Sequence, residues 1–324
     1  MHDDRVSSRD RGGKGVDDQQ NPHRLERYQP IWRGVQPTTD GLGRESLILM
    51  SDRLCETVHK PQEWRTMNVI VCVKQIPDPA NPGALDASSN TLKREGKLIL
   101  DESDSYGVEM ALQLVDAAGG GEVSLVSMAP NSETAGLRTA LAMGAAKAVL
   151  VSDPALQGSD ALTTAKILAA AIQRLGGADL IIAATESSDG YTGTVPEQIA
   201  EVLGLPSVTF AKKVSIEGGV LKADRQTEEG YDEVTCPLPA LISVTAGVVE
   251  PRYPSFKGIM AAKSKPVDEV TAADLGVTPV GWAGAGQQIS NVAQAEARAA
   301  GEVIEDDGET FGKIVTFLEG LKVI

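Results

Sequence analysis

Histidine is the first scarcity. The chain has three (His2, His23 and His59), and none follows position 59. Across residues 67–324 this excludes histidine acid–base catalysis and histidine-ligated metal. Cysteine is scarce too. Cys55, Cys72 and Cys236 are scattered, without metal-ligand spacing or a disulfide framework. That usage fits a reducing compartment such as a bacterial cytoplasm. Cys72 lies in an apolar run and reads as a small buried hydrophobe rather than a nucleophile. No stretch approaches the roughly 18 apolar residues of a membrane span, and no signal-peptide pattern opens the chain. GxGxxG after a strand-like run, GxxxxGK[ST] and GxSxG are all missing, which removes three common site fingerprints. Basic charge is in deficit. The net charge of −15 argues against non-specific binding to nucleic acid.

What is present divides unevenly. Residues 1–66 hold 11 Lys+Arg and 11 Asp+Glu, so the whole net charge falls on the rest. The opening "MHDDRVSSRDRGGKGVDDQQNPHRLERYQP" has few aliphatic residues and no periodicity, a disorder signature. We expect residues 1–66 to be a disordered leader or an upstream-start artefact, with Met67 as the functional start. A docking or regulatory tail is the rival reading.

From Met67 the pattern alternates. "NVIVCVK", "EVSLVSMAP", "KAVLVSD" and "ADLIIAAT" are continuous apolar runs of the kind buried on both faces of a sheet. Between them "SDSYGVEMALQLVDAAG", "NSETAGLRTALAMGA", "GSDALTTAKILAAAIQRLG" and "GTVPEQIAEVLGL" carry helical spacing and capping residues. For the second helix the cap is expected at Asn131 or Ser132, with Gly144 at its end. "TLKREGKLIL" reads as a short polar hairpin. This order predicts an α/β fold: a doubly wound, mostly parallel sheet with its ligand crevice at the carboxyl ends of the strands.

After Leu205 the period becomes two. "SVTFAKKVSIEGGVLKADRQTEEGYDEVTCPLPALISV" predicts an antiparallel meander at one edge. "EPRYPSFKGIMAAKSKP" (250–266), with Pro251, Pro254 and Pro266, reads as a loop carrying Tyr253, Phe256, Ile259 and Met260. From about Gly284 a Gly/Ala/Gln-rich arm leads to "ETFGKIVTFLEGLKVI". That predicts an amphipathic helix with Phe311, Ile314, Phe317, Leu318 and Leu321 on one side. The best ligand candidate is "ATESSDGYTGTVPEQIA" (184–200), where a strand, Gly190 and Gly193 lead into a helix whose N–H groups suit a phosphate.

Taken together, "VCVKQIPD", "GLRTALAMGAAKAVLVSD", "ADRQTEEGYDEVTCPLPALISVTAG" and "EPRYPSFKGIMAAKSKP" resemble, in order, the electron transfer flavoprotein beta subunit. The third carries that subunit's signature: Arg225, then Glu228 and Glu229, then Leu238-Pro239-Ala240-Leu241. The resemblance implies an adenine nucleotide alpha hydrolase-like domain over 67–283, with a recognition loop at 250–266. Residues 284–324 would be an arm and helix contacting an alpha subunit. It implies an electron carrier of fatty acid beta-oxidation, not an enzyme with its own catalytic site. The heterodimer would accept electrons from acyl-CoA and other dehydrogenases on a FAD held mainly by the alpha subunit. It would pass them to a quinone oxidoreductase at the membrane.

By position the resemblance implies an AMP site of Cys72, Asp101, Glu102, Ser103, Asp104, Met128, Ala183, Ala184, Glu186, Asp189, Gly190, Tyr191 and Thr192. Tyr191, Thr192 and neighbouring N–H groups would hold the phosphate. Partner docking would fall to Tyr253, Pro254, Phe256, Ile259, Met260 and Lys263. Phe256 would be the anchor, and Lys257, Lys263 and Lys265 would face acids on the partner. Departures are visible. Gly190-Tyr191-Thr192 replaces a mammalian-type Asn-Gln-Thr triplet, and Asp101 to Asp104 replaces Asn-Pro-Phe-Cys. Pro79 stands for a tyrosine near the flavin, and Gln226 for an acid. A second branch of the family holds FAD in place of AMP and bifurcates electrons. A universal-stress-type nucleotide-binding protein is the alternative outside the family.

Overall fold

The computed structural model describes residues 66–324 except Pro82, Ala87, Glu95, Pro130, 294–300, Glu302, Asp306, Asp307 and Glu309. The expectation for residues 1–66 falls, apart from Thr66, outside the described residues.

Nine strands form one sheet. Its centre is β1 (Met67–Cys72), β6 (Gly121–Ala129), β7 (Lys147–Ser152), β8 (Leu180–Ala184) and β12 (Ala240–Val244). Between β1 and β6 the chain makes β2 (Gln75–Pro77), β3 (Leu85–Asp86), β4 (Thr91–Leu92) and β5 (Leu98–Leu100), all outside the main sheet. The helices are α1 (Glu102–Ala117), α2 (Ala135–Met143), α3 (Ala161–Arg174) and α4 (Val195–Leu203). Strands β9 (Ser207–Glu217), β10 (Val220–Gln226) and β11 (Tyr231–Pro237) follow. Then come α5 (Phe256–Ala262), β13 (Val267–Val270), α6 (Gly281–Gly284) and α7 (Thr310–Gly320). The sheet order is β11-β10-β9-β12-β8-β1-β6-β7-β13.

Parallel pairing runs from β9 through β13, and the expected α/β doubly wound fold is what forms. Alternate residues of one strand serve opposite faces. Val69 and Val71 of β1 join α1 and α2 through Val108, Leu114, Leu137 and Leu141. Ile70 and Cys72 join α3 and α4 through Ile167, Ile172 and Ile199. This is why the central strands read as unbroken apolar runs. Each fully buried leucine or isoleucine contributes about 1.5–3 kcal/mol.

Three local expectations are corrected. Strand β12 is not part of the meander. It pairs parallel with β8 and β9 and is buried throughout, because "ALISV" is a continuous apolar run rather than an alternating one. The antiparallel meander is β9-β10-β11 alone. "TLKREGKLIL" does not fold on itself: β4 pairs with β3, and β5 with β2. Residues 256–262 are helical, not loop. The prolines flank them, and Ser255 caps the helix by accepting from the Gly258 N–H at 3.0 Å.

The cap of α2 also differs from expectation. Thr134 is its N-cap and makes no side-chain cap bond. Buried Gln75, 61 residues away, accepts from the Gly136 N–H at 2.9 Å, and its amide donates to the Glu133 carbonyl at 2.6 Å. A Cβ at Gly136 would lie 2.8 Å from the Leu100 nitrogen, so only glycine permits this close approach. Strand β13, which no periodicity signalled, closes the far edge and presents Asp268 and Glu269 to solvent.

Candidate functional site

The order of the strands places a cleft. From β1 the chain winds outward to β6 and β7, then returns to build β8 and β12 on the other side. The loops leaving β1 and β8 therefore part in opposite directions above the carboxyl ends, where open α/β sheets bind ligands. A cleft of about 700 Å³ opens there.

Of the expected site residues, Cys72, Asp104, Met128, Ala183, Ala184, Glu186 and Thr192 line this cleft. Asp101, Glu102, Ser103, Asp189, Gly190 and Tyr191 do not. Two of these brace it instead. Asp101, fully buried, caps α1 by accepting from the Ser103 N–H at 3.1 Å. Its other oxygen accepts from the Ser188 N–H at 2.8 Å and from the Ser188 hydroxyl at 3.1 Å, fixing the turn after β8. Asp189 accepts from Lys74 Nζ at 2.6 Å and from the Arg94 guanidinium. Burial pushes the Asp189 carboxyl up, but the two cations outweigh it and hold it below the usual range.

The phosphate expectation narrows. The N–H of Tyr191 already donates to the Ser187 carbonyl at 2.9 Å, as that of Gly190 does at 3.4 Å. Tyr191 has φ 48° and points to solvent. Among the described residues the N–H groups of Thr192 and Gly193 have no protein partner, and both residues line the cleft.

Asp104 is the most unusual group in the wall. Its carboxylate oxygen accepts from the Lys74 backbone N–H at 2.6 Å. Burial pushes its pKa well above the usual carboxylate range, more than that bond and Lys74 lower it. The Cys72 thiol is pushed up to about 12 by burial and then by Asp104, and burial also raises Cys236. A thiol reagent at pH 8 is therefore expected to label neither in the folded protein and both after denaturation. Rapid labelling of Cys72 in folded protein would show that the strand end is open.

Sequence reasoning missed Lys74, Arg94, Asn131, Ser159, Trp282 and Gln287, which also line the cleft. Trp282 comes from the one-turn helix α6, and the others arrive from loops with no periodic pattern. Among the described residues no His/Cys/Asp/Glu group could hold a metal ion.

A second surface lies elsewhere on the chain. Tyr253 is 94% and Phe256 81% exposed, and Ile259 and Met260 are about half exposed. The aromatics do not fold back onto the core. Lys257 and Lys263 are exposed beside them, and Pro254 is half-buried. Lys265 is a correction to the expected basic ring. Its Nζ donates to the Leu141 and Ala145 carbonyls at 2.8 and 2.7 Å, so it caps α2 rather than facing a partner.

Comparison with known proteins supplies the context. The electron transfer flavoprotein domain matches residues 89–275. Electron transfer flavoprotein subunit beta of Mycobacterium bovis is 44% identical over 264 residues, covering 79% of this chain and 99% of that one. The chain belongs to the electron transfer flavoprotein beta-subunit family. The subunit beta of Thermoanaerobacterium thermosaccharolyticum is 37% identical, over 73% of this chain and 92% of its own length. Subunit CarD of the caffeyl-CoA reductase-Etf complex of Acetobacterium woodii is 35% identical, over 80% and 100%. The role is electron transfer in a flavoprotein, and a beta subunit implies an alpha partner. The family displaces the universal-stress-type alternative. Among the described residues no helix is long and apolar enough to cross a membrane.

Proposed function

We propose that this beta subunit holds AMP in the cleft and docks acyl-CoA and related dehydrogenases through the segment around α5. FAD, held mainly by an alpha subunit, takes the electrons and relays them to a quinone oxidoreductase. The observation that carries this reading is the outward display of Phe256 and Tyr253 on a short helix flanked by Lys257 and Lys263. An exposed apolar knob with a cationic rim suits a transient partner, which needs a small hot spot and electrostatic steering. Cleft chemistry supports the nucleotide. Apolar walls from Leu156, Leu168, Val195 and Ile199 suit a base, and the N–H groups of Thr192 and Gly193 suit a phosphate.

The alpha subunit would cover α7. Its Phe311, Ile314 and Phe317 are exposed, as are Leu321, Val323 and Ile324 beyond its end. An apolar stripe of that length on a soluble carrier calls for a partner. The domain limits read from the sequence, 67–283 for the nucleotide domain and 284–324 for the arm, belong to the same proposal.

The second reading, a bifurcating subunit with FAD in the cleft, draws on the relative named as part of a caffeyl-CoA reductase-Etf complex. One experiment separates the two. The chain from Met67 is co-purified with its alpha subunit, and extracted FAD and AMP are counted per heterodimer. One of each supports the relay. Two FAD and no AMP would establish the second reading. No complex and no nucleotide would overturn both.

A further inference from the structure

The docking segment is held in an unusual way. Of residues 251–263 only Ala262 is buried. Its large apolar side chains face outward, so among its side chains only Ala262 joins the core and hydrophobic packing holds it weakly. Polar bonds set its position. At the trailing end Arg138 Nη1 donates to the Ala262 and Lys265 carbonyls at 2.8 and 2.7 Å. Helix α5 also lies so close to α2 that a Cβ on Gly258 would meet the Ala142 carbonyl oxygen at 2.4 Å.

The leading end has one anchor. Arg252, immediately before Tyr253, grips Glu109 of α1 with Nε at 2.6 Å, Nη2 at 3.0 Å and its backbone N–H at 3.3 Å. Gln113 adds a fourth bond to the same carboxylate at 2.8 Å. The Glu109 side chain is 4% exposed and that of Arg252 41%. A buried carboxylate that lost this fork would be left largely unpaired, so the bonded arrangement is strongly favoured. Helix α1 packs on β1 and β8, so the grip ties the segment to the rigid centre of the fold.

We propose that Glu109, through Arg252, is a positioning residue for partner docking: it presents the Tyr253–Met260 knob in its binding geometry without touching the partner. The inference rests on the docking reading above. Its physical content is pre-organisation. A segment already ordered in the free protein loses less entropy when it docks. Because Glu109 is buried it has no access to a partner, whereas half-exposed Arg252 could contact one directly. Glu109 is therefore the diagnostic position.

The test uses the assembled heterodimer, purified acyl-CoA dehydrogenase as the probe, and amide hydrogen exchange. Glu109→Gln is expected to weaken docking about tenfold and to speed exchange at 251–263, with exchange at 183–193 and nucleotide content unchanged. Arg252→Lys keeps the charge but not the fork and is expected to fall between. It also serves if Glu109→Gln folds poorly. In a Phe256→Ala background, where the knob is already gone, Glu109→Gln is expected to add little. Unchanged docking and exchange in Glu109→Gln, with Phe256→Ala still impaired, would overturn the positioning role alone. The same follows if Arg252→Lys impairs docking without faster exchange, which marks direct contact. If Phe256→Ala itself leaves docking intact, the docking reading fails and takes this inference with it.

Discussion

Replacing Phe256 by alanine in the heterodimer is expected to weaken docking to an acyl-CoA dehydrogenase by about 2 kcal/mol or more, roughly thirtyfold. Flavin and nucleotide content should stay unchanged. The expectation follows from where the ring sits. Phe256 is 81% exposed at the first position of α5, so it contributes little to the core of its own chain. Truncating it therefore leaves no cavity, and the substitution reports on binding rather than folding. Equilibrium titration against the dehydrogenase, with cofactor analysis of the same sample, reads both quantities. Equal affinity for wild type and variant would remove Phe256 as anchor. A loss of cofactor in parallel would mean that the side chain matters to the fold after all.

The second large effect concerns pH. Asp104→Asn is expected to stabilise the protein at pH 8 and to have little effect on stability at pH 3, well below the unfolded carboxyl's pKa. The sign follows from the direction of the shift. Burial places the folded-state pKa of Asp104 above its unfolded value of about 3.9. Between those two values the native state binds a proton that the unfolded chain has released. Stability is thus fully present below the unfolded pKa and falls as pH rises through the folded one, by up to about 1.4 kcal/mol per unit. Asparagine is neutral throughout and keeps an oxygen to accept from the Lys74 N–H, now made at 2.6 Å. Denaturant unfolding of both proteins from pH 3 to 8 gives the difference curve. A flat curve would mean that Asp104 titrates near its ordinary value in the folded chain.

Features that depend on neighbours in sequence were legible. "NVIVCVK" and "ADLIIAAT" announced strands buried on both faces, because a central parallel strand has no polar side to display. Asp160 announced a helix start by its chemistry, and its side chain caps as expected, whereas α1 starts ahead of "SDSYGVEM", with Asp101 rather than a residue of that stretch as its cap. The Glu217-Gly218-Gly219 turn joined β9 to β10 for the same reason: two glycines at positive φ make the reversal. The proposal of Phe256 as a docking residue came only through resemblance. A loop of mixed aromatics and prolines has no periodicity from which exposure could be read.

Other features required the fold. Whether "ALISV" joined the meander or the sheet centre was settled by which strands lay beside it. The Asp101 and Asp189 carboxylates, placed by position in the ligand site, turned out to hold its walls together. Arg94 reaches Asp189 across 95 residues, and Arg252 reaches Glu109 across 143. Lys265 looked like one more cation in a basic cluster, yet it is spent on the Leu141 carbonyl of α2 and the Ala145 carbonyl just past its end.

The sequence by itself determined the doubly wound architecture, the cap that starts α3, and the family. All three are recorded in local apolar periodicity, in short-range hydrogen-bonding residues and in contiguous motifs. The tertiary structure decided which charged groups are free and which are committed. That depends on crossover connections that bring distant segments within hydrogen-bond reach, and on burial, which makes a carboxylate such as Glu109 or Asp189 require the partner it finds there.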